Sequence, residues 1–388
     1  MSKIEVKIVN VEILPHENAD RLSIARIGGE GGYECVVGKD QFQDGDEAIY
    51  IPPDSVLPDK ILNILMERSK ITIKGGRIRA IKVRGALSEG LCLSPSEWLE
   101  EKDIKKDVDL KDLLGIKKYV PLPPRNFGGG IFRSGKGINS NYQNENFHRY
   151  TDIDNFKKHP RAFRDGEEVV ATVKYHGSNF RAGWVEKPAW RMATFVEKIK
   201  VLFSKKLKYE FLVGSHNKIR FAKKDAELDN DLYWRAARKY NIQEVSKKMA
   251  VDIAKDKGLN TKYNNIILYG EIVGPKIQVG YFYGVPKGDI ALHIFDIKFN
   301  GDYLDWPDVA KWCDRYGLPV VNIVYQGPWS LDVVRHAEVV DAYGHEKCNR
   351  EGIVVKTAIE RRDLRCGRVI LKCINPKYIL DGRNSEWH

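Results

Sequence analysis

An apolar, β-branched run, Val169-Val170-Ala171-Thr172-Val173, passes without a break into Lys174-Tyr175-His176-Gly177-Ser178-Asn179-Phe180. The first part reads as a buried strand and the second as a polar turn at its end. A lysine amine held there can act as a nucleophile only when uncharged, so desolvation or a neighbouring positive charge has to depress its pKa. Gly177 would let the backbone come close to a ligand. The plainer alternative is a strand ending in a turn, with Lys174 solvated and Gly177 supplying a positive φ.

The chain has 388 residues, 43% hydrophobic and 30% charged, which is enough for two or more domains with cores of their own. Met1-Ser2-Lys3-Ile4-Glu5-Val6-Lys7 carries charge where a signal peptide needs an apolar segment, and no apolar run approaches the roughly 18 residues of a membrane span. The expectation is a soluble protein with no membrane partner and no obligate protein partner. The six cysteines (Cys35, Cys92, Cys313, Cys348, Cys366 and Cys373) include no Cys-x-x-Cys pair, which argues against zinc and fits a reducing, cytoplasmic compartment. The net charge of +11 is uneven, with −2 in residues 1–120 and +13 in residues 121–388. A phosphate polymer is therefore expected to meet the later two thirds, where Lys198, Lys200, Lys205, Lys206 and Lys208, and then Arg361, Arg362, Arg365 and Arg368, cluster.

Short strand-like runs with turn residues between them fill the first hundred positions: Cys35-Val36-Val37-Gly38, Glu47-Ala48-Ile49-Tyr50-Ile51 and Arg77 to Arg84. That spacing predicts a small β-barrel. In the last run, alternation places Arg77 and Arg79 on one face and Lys82 and Arg84 on the other, so a single basic face would need a bulge. Pro121-Leu122-Pro123-Pro124, Gly128-Gly129-Gly130 and the asparagines up to Asn146 read as a linker. The predicted division is a barrel at 1–115, a linker at 116–146 and a second domain at 147–388. Helices are expected between Asp229 and Lys257, interrupted near Asn241, and from Trp306 to Tyr316.

Downstream segments add chemistry in a fixed order. Tyr269-Gly270-Glu271 ends an apolar strand, Leu292-His293-Ile294-Phe295-Asp296-Ile297 carries an aromatic ring, Arg350-Glu351-Gly352-Ile353-Val354-Val355-Lys356 pairs a carboxylate with a lysine, and Leu371-Lys372-Cys373-Ile374-Asn375-Pro376-Lys377-Tyr378 closes the series. With Lys-x-His-Gly-x-Asn at 174–179, this order resembles motifs I, III, IIIa, IV and V of the ATP-dependent RNA ligases, within the superfamily of covalent nucleotidyltransferases. The wording Val36-Val37-Gly38-Lys39 through Gly90-Leu91 resembles the N-terminal OB module of the nick-sealing branch, and also tRNA-binding OB modules. The resemblance covers nearly the whole chain.

The resemblance implies an α+β fold, with a small OB-like β-barrel followed by an adenylyltransferase domain of antiparallel sheets flanked by helices. It also implies roles. Lys174 attacks the α-phosphorus of ATP to form lysyl-AMP, and AMP passes to a 5′-phosphate of RNA, which a 3′-hydroxyl then displaces. Glu271 and Glu351 organise Mg2+, with Mn2+ as the alternative, and Glu271 also meets the ribose. Phe295 stacks on adenine, Lys356 and Lys372 face the α-phosphate, and His176 and Asn179 orient the metal hydrate or the phosphates. Ser215, His216 and Asn217 stand where the family has motif Ia and would line the phosphate or RNA path, with Arg77, Arg79 and Arg84 contacting RNA from the barrel.

Two departures stand out. Ile374 replaces a second motif V lysine, a charge that Lys377 or another base would supply. His176 replaces the aspartate of DNA ligases and capping enzymes, which points to RNA ligases of the type 2 group. Only Ile379 to His388 follow motif V, too few for the C-terminal OB domain of those other enzymes. The competing readings are a DNA or mixed-substrate ligase, and an RNA-binding or chaperone protein with a silent ligase domain.

Overall fold

The computed structural model describes residues 4–69, 73–106, 108–120, 142–188, 208–221, 230–259, 264–278, 280–339 and 349–380. The Pro- and Gly-rich stretch at 121–141 and the lysines Lys198, Lys200, Lys205 and Lys206 lie outside them. The chain divides into two compact units: residues 1–125, 152–164 and 363–388 form one, and residues 126–151 and 165–362 the other. The α+β class read from the sequence is the fold observed. Among the described residues no helix is long and apolar enough to cross a membrane.

In the first unit, five antiparallel strands run in the order Tyr33–Gly38, Leu22–Ile27, Lys7–Pro15, Glu47–Ile51 and Leu91–Leu93. The sheet curls into a nearly closed barrel, and the Val36 N–H of its first strand donates at 3.0 Å to Ser88 Oγ, in the segment just before its last strand. Glu47–Ile51 is covered on both faces: Ala48 and Tyr50 join one apolar cluster with Val11, Ala25 and Cys35, while Ile49 and Ile51 join another with Ile8, Leu57 and Ile61. Strand alternation produces this division, because successive side chains point to opposite faces.

The run from Arg77 to Arg84 is not one strand. Only Ala80–Val83 is in the ladder, paired with Ala86–Glu89 across Arg84 and Gly85, both at positive φ (50° and 94°). Two such residues in succession suit a tight hairpin turn, which halts the strand before a basic face can form. Arg77 lies before that hairpin. It is 8% exposed, bonds Asp54 Oδ1 through Nε at 3.0 Å and Nη2 at 2.6 Å, and stacks its guanidinium 3.6 Å from the Tyr119 ring centroid. Arg77 is thus a structural pair inside the unit, whereas Arg79 and Arg84 are exposed.

The second unit contains two antiparallel arrays. In one, the strand Glu168–Lys174 lies between Ile323–Pro328 and Gly352–Thr357. In the other, Tyr209–Ser215, Ser178–Glu186, Ile266–Val273, Ala291–Phe299 and Asp302–Tyr303 follow one another in that order. A single apolar cluster joins Val170 and Val173 of the first array to Phe180, Ala182, Leu268 and Ile294 of the second and to the helices Leu232–Lys239, Ile242–Asp256 and Trp306–Arg315. The break between the first two helices falls at Asn241, in the left-handed region (φ 48°). Asp231 caps the first helix by accepting the N–H groups of Tyr233 and Trp234 at 3.0 and 3.1 Å.

Candidate active site

The strand Glu168–Lys174 is apolar because both its faces are covered: Val169, Val170 and Ala171 are fully buried. Its register with Gly352–Thr357 sets Lys174 opposite Gly352. Glu351, the residue before, therefore comes to the end of the strand beside Lys174, and the two side chains form an ion pair through Lys174 Nζ and Glu351 Oε1. His176 Nδ1 lies 3.6 Å from the other carboxylate oxygen, Oε2, which is buried and lacks a hydrogen-bond partner. Burial pushes the Glu351 carboxyl up, but the charge of Lys174 and the contact with His176 outweigh it and hold the group at about 2.

The turn from Lys174 to Ser178 is fastened from outside. The His176 N–H donates to the Tyr283 hydroxyl at 2.7 Å, Gln278 Nε2 donates to the Gly177 carbonyl at 3.0 Å, and the His176 ring meets Tyr281 edge to face at 4.8 Å. Tyr175 stacks on His293 with centroids 4.6 Å apart and planes 10° apart. The glycine has a steric reason. A Cβ on Gly177 would come within 2.4 Å of the Ile272 carbonyl and 2.9 Å of Glu271 Cγ. Gly177 is not among the positive-φ glycines, so neither a left-handed turn nor ligand approach is needed to account for it. The neighbouring strand requires it.

That neighbouring strand carries Glu271. It faces Asn179 in the ladder, with Gly177 at its side. Burial raises the Glu271 carboxyl to about 8, against the pull of Lys174 and with added repulsion from Glu351. Asn179 Oδ1, like Glu351 Oε2, is buried without a hydrogen-bond partner. Oxygen donors left open in this way suit a hard divalent cation such as Mg2+. Among the described residues no three His, Cys, Asp or Glu side chains form a direct metal cage. The donor set therefore fits a cation that keeps most of its ligands as water.

The structure treats the remaining sequence-selected residues differently from one another. Phe295 is half-buried and packs edge to face with Tyr150 at 4.8 Å. Lys356 lies opposite Val170, four residues along the strand from the Gly352–Lys174 pair, or roughly 13 Å. Its ammonium is 3.3 Å from Asp296 Oδ2, bonds the Phe295 carbonyl at 3.3 Å and lies 4.9 Å from the Trp306 ring centroid. Instead of turning toward Lys174, it is held in a dry pair. Lys372, on the strand Ile370–Ile374 of the first unit, is 7% exposed and lies opposite Asn155. Lys377 is exposed on the short helix that follows. Ser215 closes the strand Tyr209–Ser215, with His216 half-buried and Asn217 exposed beyond it.

Asp296, Gln278, Tyr281 and Tyr283 were not singled out from sequence. Asp296 could have been, because a carboxylate between Phe295 and Ile297 in an apolar strand calls for a partner. The other three lie in an irregular loop with no period to read.

Residues 167–374 match the family model for RNA ligase, and residues 4–95 match one for an OB-fold domain. No curated protein matches the sequence. Among solved structures, Naegleria gruberi RNA ligase with pyrophosphate is similar at a TM-score of 0.65 and 20% identity, covering 97% of this chain and 98% of that one. Point variants of the same ligase with ATP and manganese, and with AMP and manganese, are similar at 0.65 and 19% identity, each covering 96% of this chain and 98% or 97% of theirs. At that identity the likeness speaks for the fold, whereas the RNA ligase model takes in more than half of the sequence, Lys174, Glu271 and Glu351 included. The chain belongs to the RNA ligase family, with an OB-like barrel at its N-terminal end.

Proposed function

We propose that this protein is an ATP-dependent RNA ligase that joins 3′-hydroxyl to 5′-phosphate ends of RNA at nicks in duplexes, through lysyl-AMP and 5′-adenylylated RNA. The observation that carries the reading is the Lys174–Glu351 pair at the strand end, with Glu351 Oε2 left open. The ATP, AMP and manganese held by the Naegleria ligase support a nucleotide and a divalent cation, Mg2+ or Mn2+, in this family member.

In the proposed reaction, Glu351 Oε2 and Asn179 Oδ1, with Glu271 beside them, would hold a hydrated divalent cation, and Lys174, positioned at the strand end by its pair with Glu351, is the nucleophile. The Lys174 ammonium, 20% exposed, gives up its proton to water, and the neutral amine attacks the α-phosphorus. An N–P bond forms while the α–β P–O bond breaks, and pyrophosphate leaves with the bonding electrons. A 5′-phosphate oxygen of RNA then displaces Lys174 from AMP, and a 3′-hydroxyl oxygen displaces AMP. Phe295 offers an aromatic face to adenine, His176 orients phosphates, and Lys372 offsets charge on the transition state. The bound cation supplies charge neutralisation at the phosphates. The barrel, through Arg79 and Arg84, together with Ser215, His216 and Asn217, holds RNA. A cytoplasmic location belongs to the same reading, and the free state of the described cysteines fits it.

The test is incubation with α-labelled ATP and Mg2+, followed by mapping of the label and by sealing of two nicked duplexes. Label on Lys174 and faster sealing of a nick with a ribose 3′-hydroxyl strand than of an all-DNA nick are expected. Absence of any protein-bound AMP would overturn the reaction, and equal sealing of both nicks would overturn the choice of RNA. Lys372→Ala is expected to slow adduct formation on the order of a hundredfold, read in single-turnover assays.

A further inference from the structure

Arg181 lies on the strand Ser178–Glu186 at 3% exposure. Its Nε donates to the Ser215 carbonyl at 3.0 Å and its Nη1 to the Phe147 carbonyl at 2.6 Å, and the guanidinium lies 4.4 Å from the Phe147 ring centroid. These contacts aim the group but leave its charge unbalanced, because no carboxylate pairs with it among the described residues. Burial lowers its pKa to about 10, against the influence of Tyr269 and with that of Arg149, so it remains a cation at neutral pH. An uncompensated buried charge is costly, and an arginine cannot escape the cost by losing its proton.

The guanidinium borders a cavity of about 460 Å3 that Arg149, Lys218, His148 and Asn217 also line, together with a single carboxylate, Glu145. Arg149 and Lys218 are exposed and line the cavity from two different parts of the chain, one from the segment before the Lys174 strand and the other from the turn after Ser215. The His148 ring holds its proton less readily than usual, first through burial and then through Lys298 and Arg181, which reports a positive field at the same place. Three cations around one hollow, one of them fixed by two carbonyls and a ring, make a built site for a phosphate.

We propose that this cavity anchors a backbone phosphate of the RNA strand. The proposal rests on the ligase reading above and adds a subsite to it. Arg181 is two residues beyond Asn179 on the same face of one strand, roughly 7 Å away, so the cavity flanks the Lys174 site and a polynucleotide leaving that site passes over it.

The test uses the full chain and a fluorescent nicked RNA duplex, with binding followed by anisotropy across a series of salt concentrations. Arg149→Ala and Lys218→Ala each remove an exposed side chain and are expected to fold normally. Each is expected to weaken RNA binding and to lower the slope of log affinity against log salt by about one, while lysyl-AMP formation from ATP without RNA stays at the wild-type rate. Unchanged affinity and slope in both variants would overturn the proposal. Loss of lysyl-AMP formation with RNA binding intact would also overturn it, by assigning the cavity to the nucleotide. Failure of the wild-type protein to form lysyl-AMP would strike the ligase reading instead, and the salt slope, which needs no catalysis, would still decide the cavity.

Discussion

Two lysine–carboxylate pairs in the second unit meet the strand Gly352–Thr357, one through Lys356 on it to Asp296 of Ala291–Phe299 and the other through Glu351 just before it to Lys174, and they have opposite characters. At one place Lys356 and Asp296 are 5% and 0% exposed, and their polar atoms are taken up by the Tyr150 hydroxyl at 2.8 Å from Asp296 Oδ2 and by the Phe295 carbonyl. At the strand end Lys174 is 20% exposed, its partner Glu351 keeps one oxygen without a hydrogen bond, and Glu271 nearby is held at about 8. A satisfied buried pair locks strands together, because separating it strands a charge in a poor dielectric. An unsatisfied pair at a rim has spare capacity for a ligand. Proximity to the strand end, and not the kind of residue, separates the two.

The comparison can be broken by experiment, and the largest effect is expected at the open pair. Lys174→Ala is expected to reduce protein-bound AMP by on the order of 10³ or more, seen as loss of label after denaturing gel electrophoresis; adduct on that variant would remove Lys174 from the reaction. Next comes the closed pair. Lys356→Met removes the cation beside the buried Asp296, which costs about 3–5 kcal/mol in urea unfolding, and adding Asp296→Leu is expected to recover much of the loss. If Lys356→Met unfolds like the wild type yet forms no adduct, the contrast between a structural and a chemical pair collapses.

A smaller effect is expected at the turn. Gly177→Ala drives a methyl toward the Ile272 carbonyl and is expected to cost about 1–3 kcal/mol, with adduct formation falling alongside; an unaltered unfolding midpoint would show that the turn yields. The smallest is a pH effect. Burial lowers the His293 pKa from its ordinary value, with the Val320 carbonyl opposing weakly. The unfolded chain therefore takes up the proton more readily, so His293 contributes stability above about pH 6.5 that is lost as pH falls toward its folded value. Denaturant midpoints between pH 7.5 and 5 are expected to fall less steeply for His293→Phe than for the wild type, and parallel curves would rule out this contribution.

Much of the fold was legible along the chain because its signals are local. The apolar run at 169–173 forms a strand from Glu168 to Lys174, and the helical pattern breaks at Asn241 as the sequence suggested. The barrel strand Glu47–Ile51 is another example. Other features depend on a residue far away along the chain. Arg77 carries a charge that looked available for RNA until Asp54 and Tyr119 closed on it. Lys356 likewise ends its segment with a charge that the sequence could not assign to Asp296.

A truncation at 147–388 follows the sequence division but would cut through the first unit, because Lys157 of that unit pairs with the buried Glu89 of the barrel. Point variants are therefore the cleaner way to separate binding from chemistry.

Alternation, turn residues and the order of charged segments act over a few neighbours, and by themselves they determined the strands, the barrel and the residue types of a nucleotidyl-transfer site. Which lysine remains open, why Gly177 has no side chain, and where a buried arginine awaits an anion depend on strand register and on loops that return from far along the chain. Only the packed structure decides those, because an ion pair or a steric contact is fixed by distance in space, and the sequence carries no measure of it.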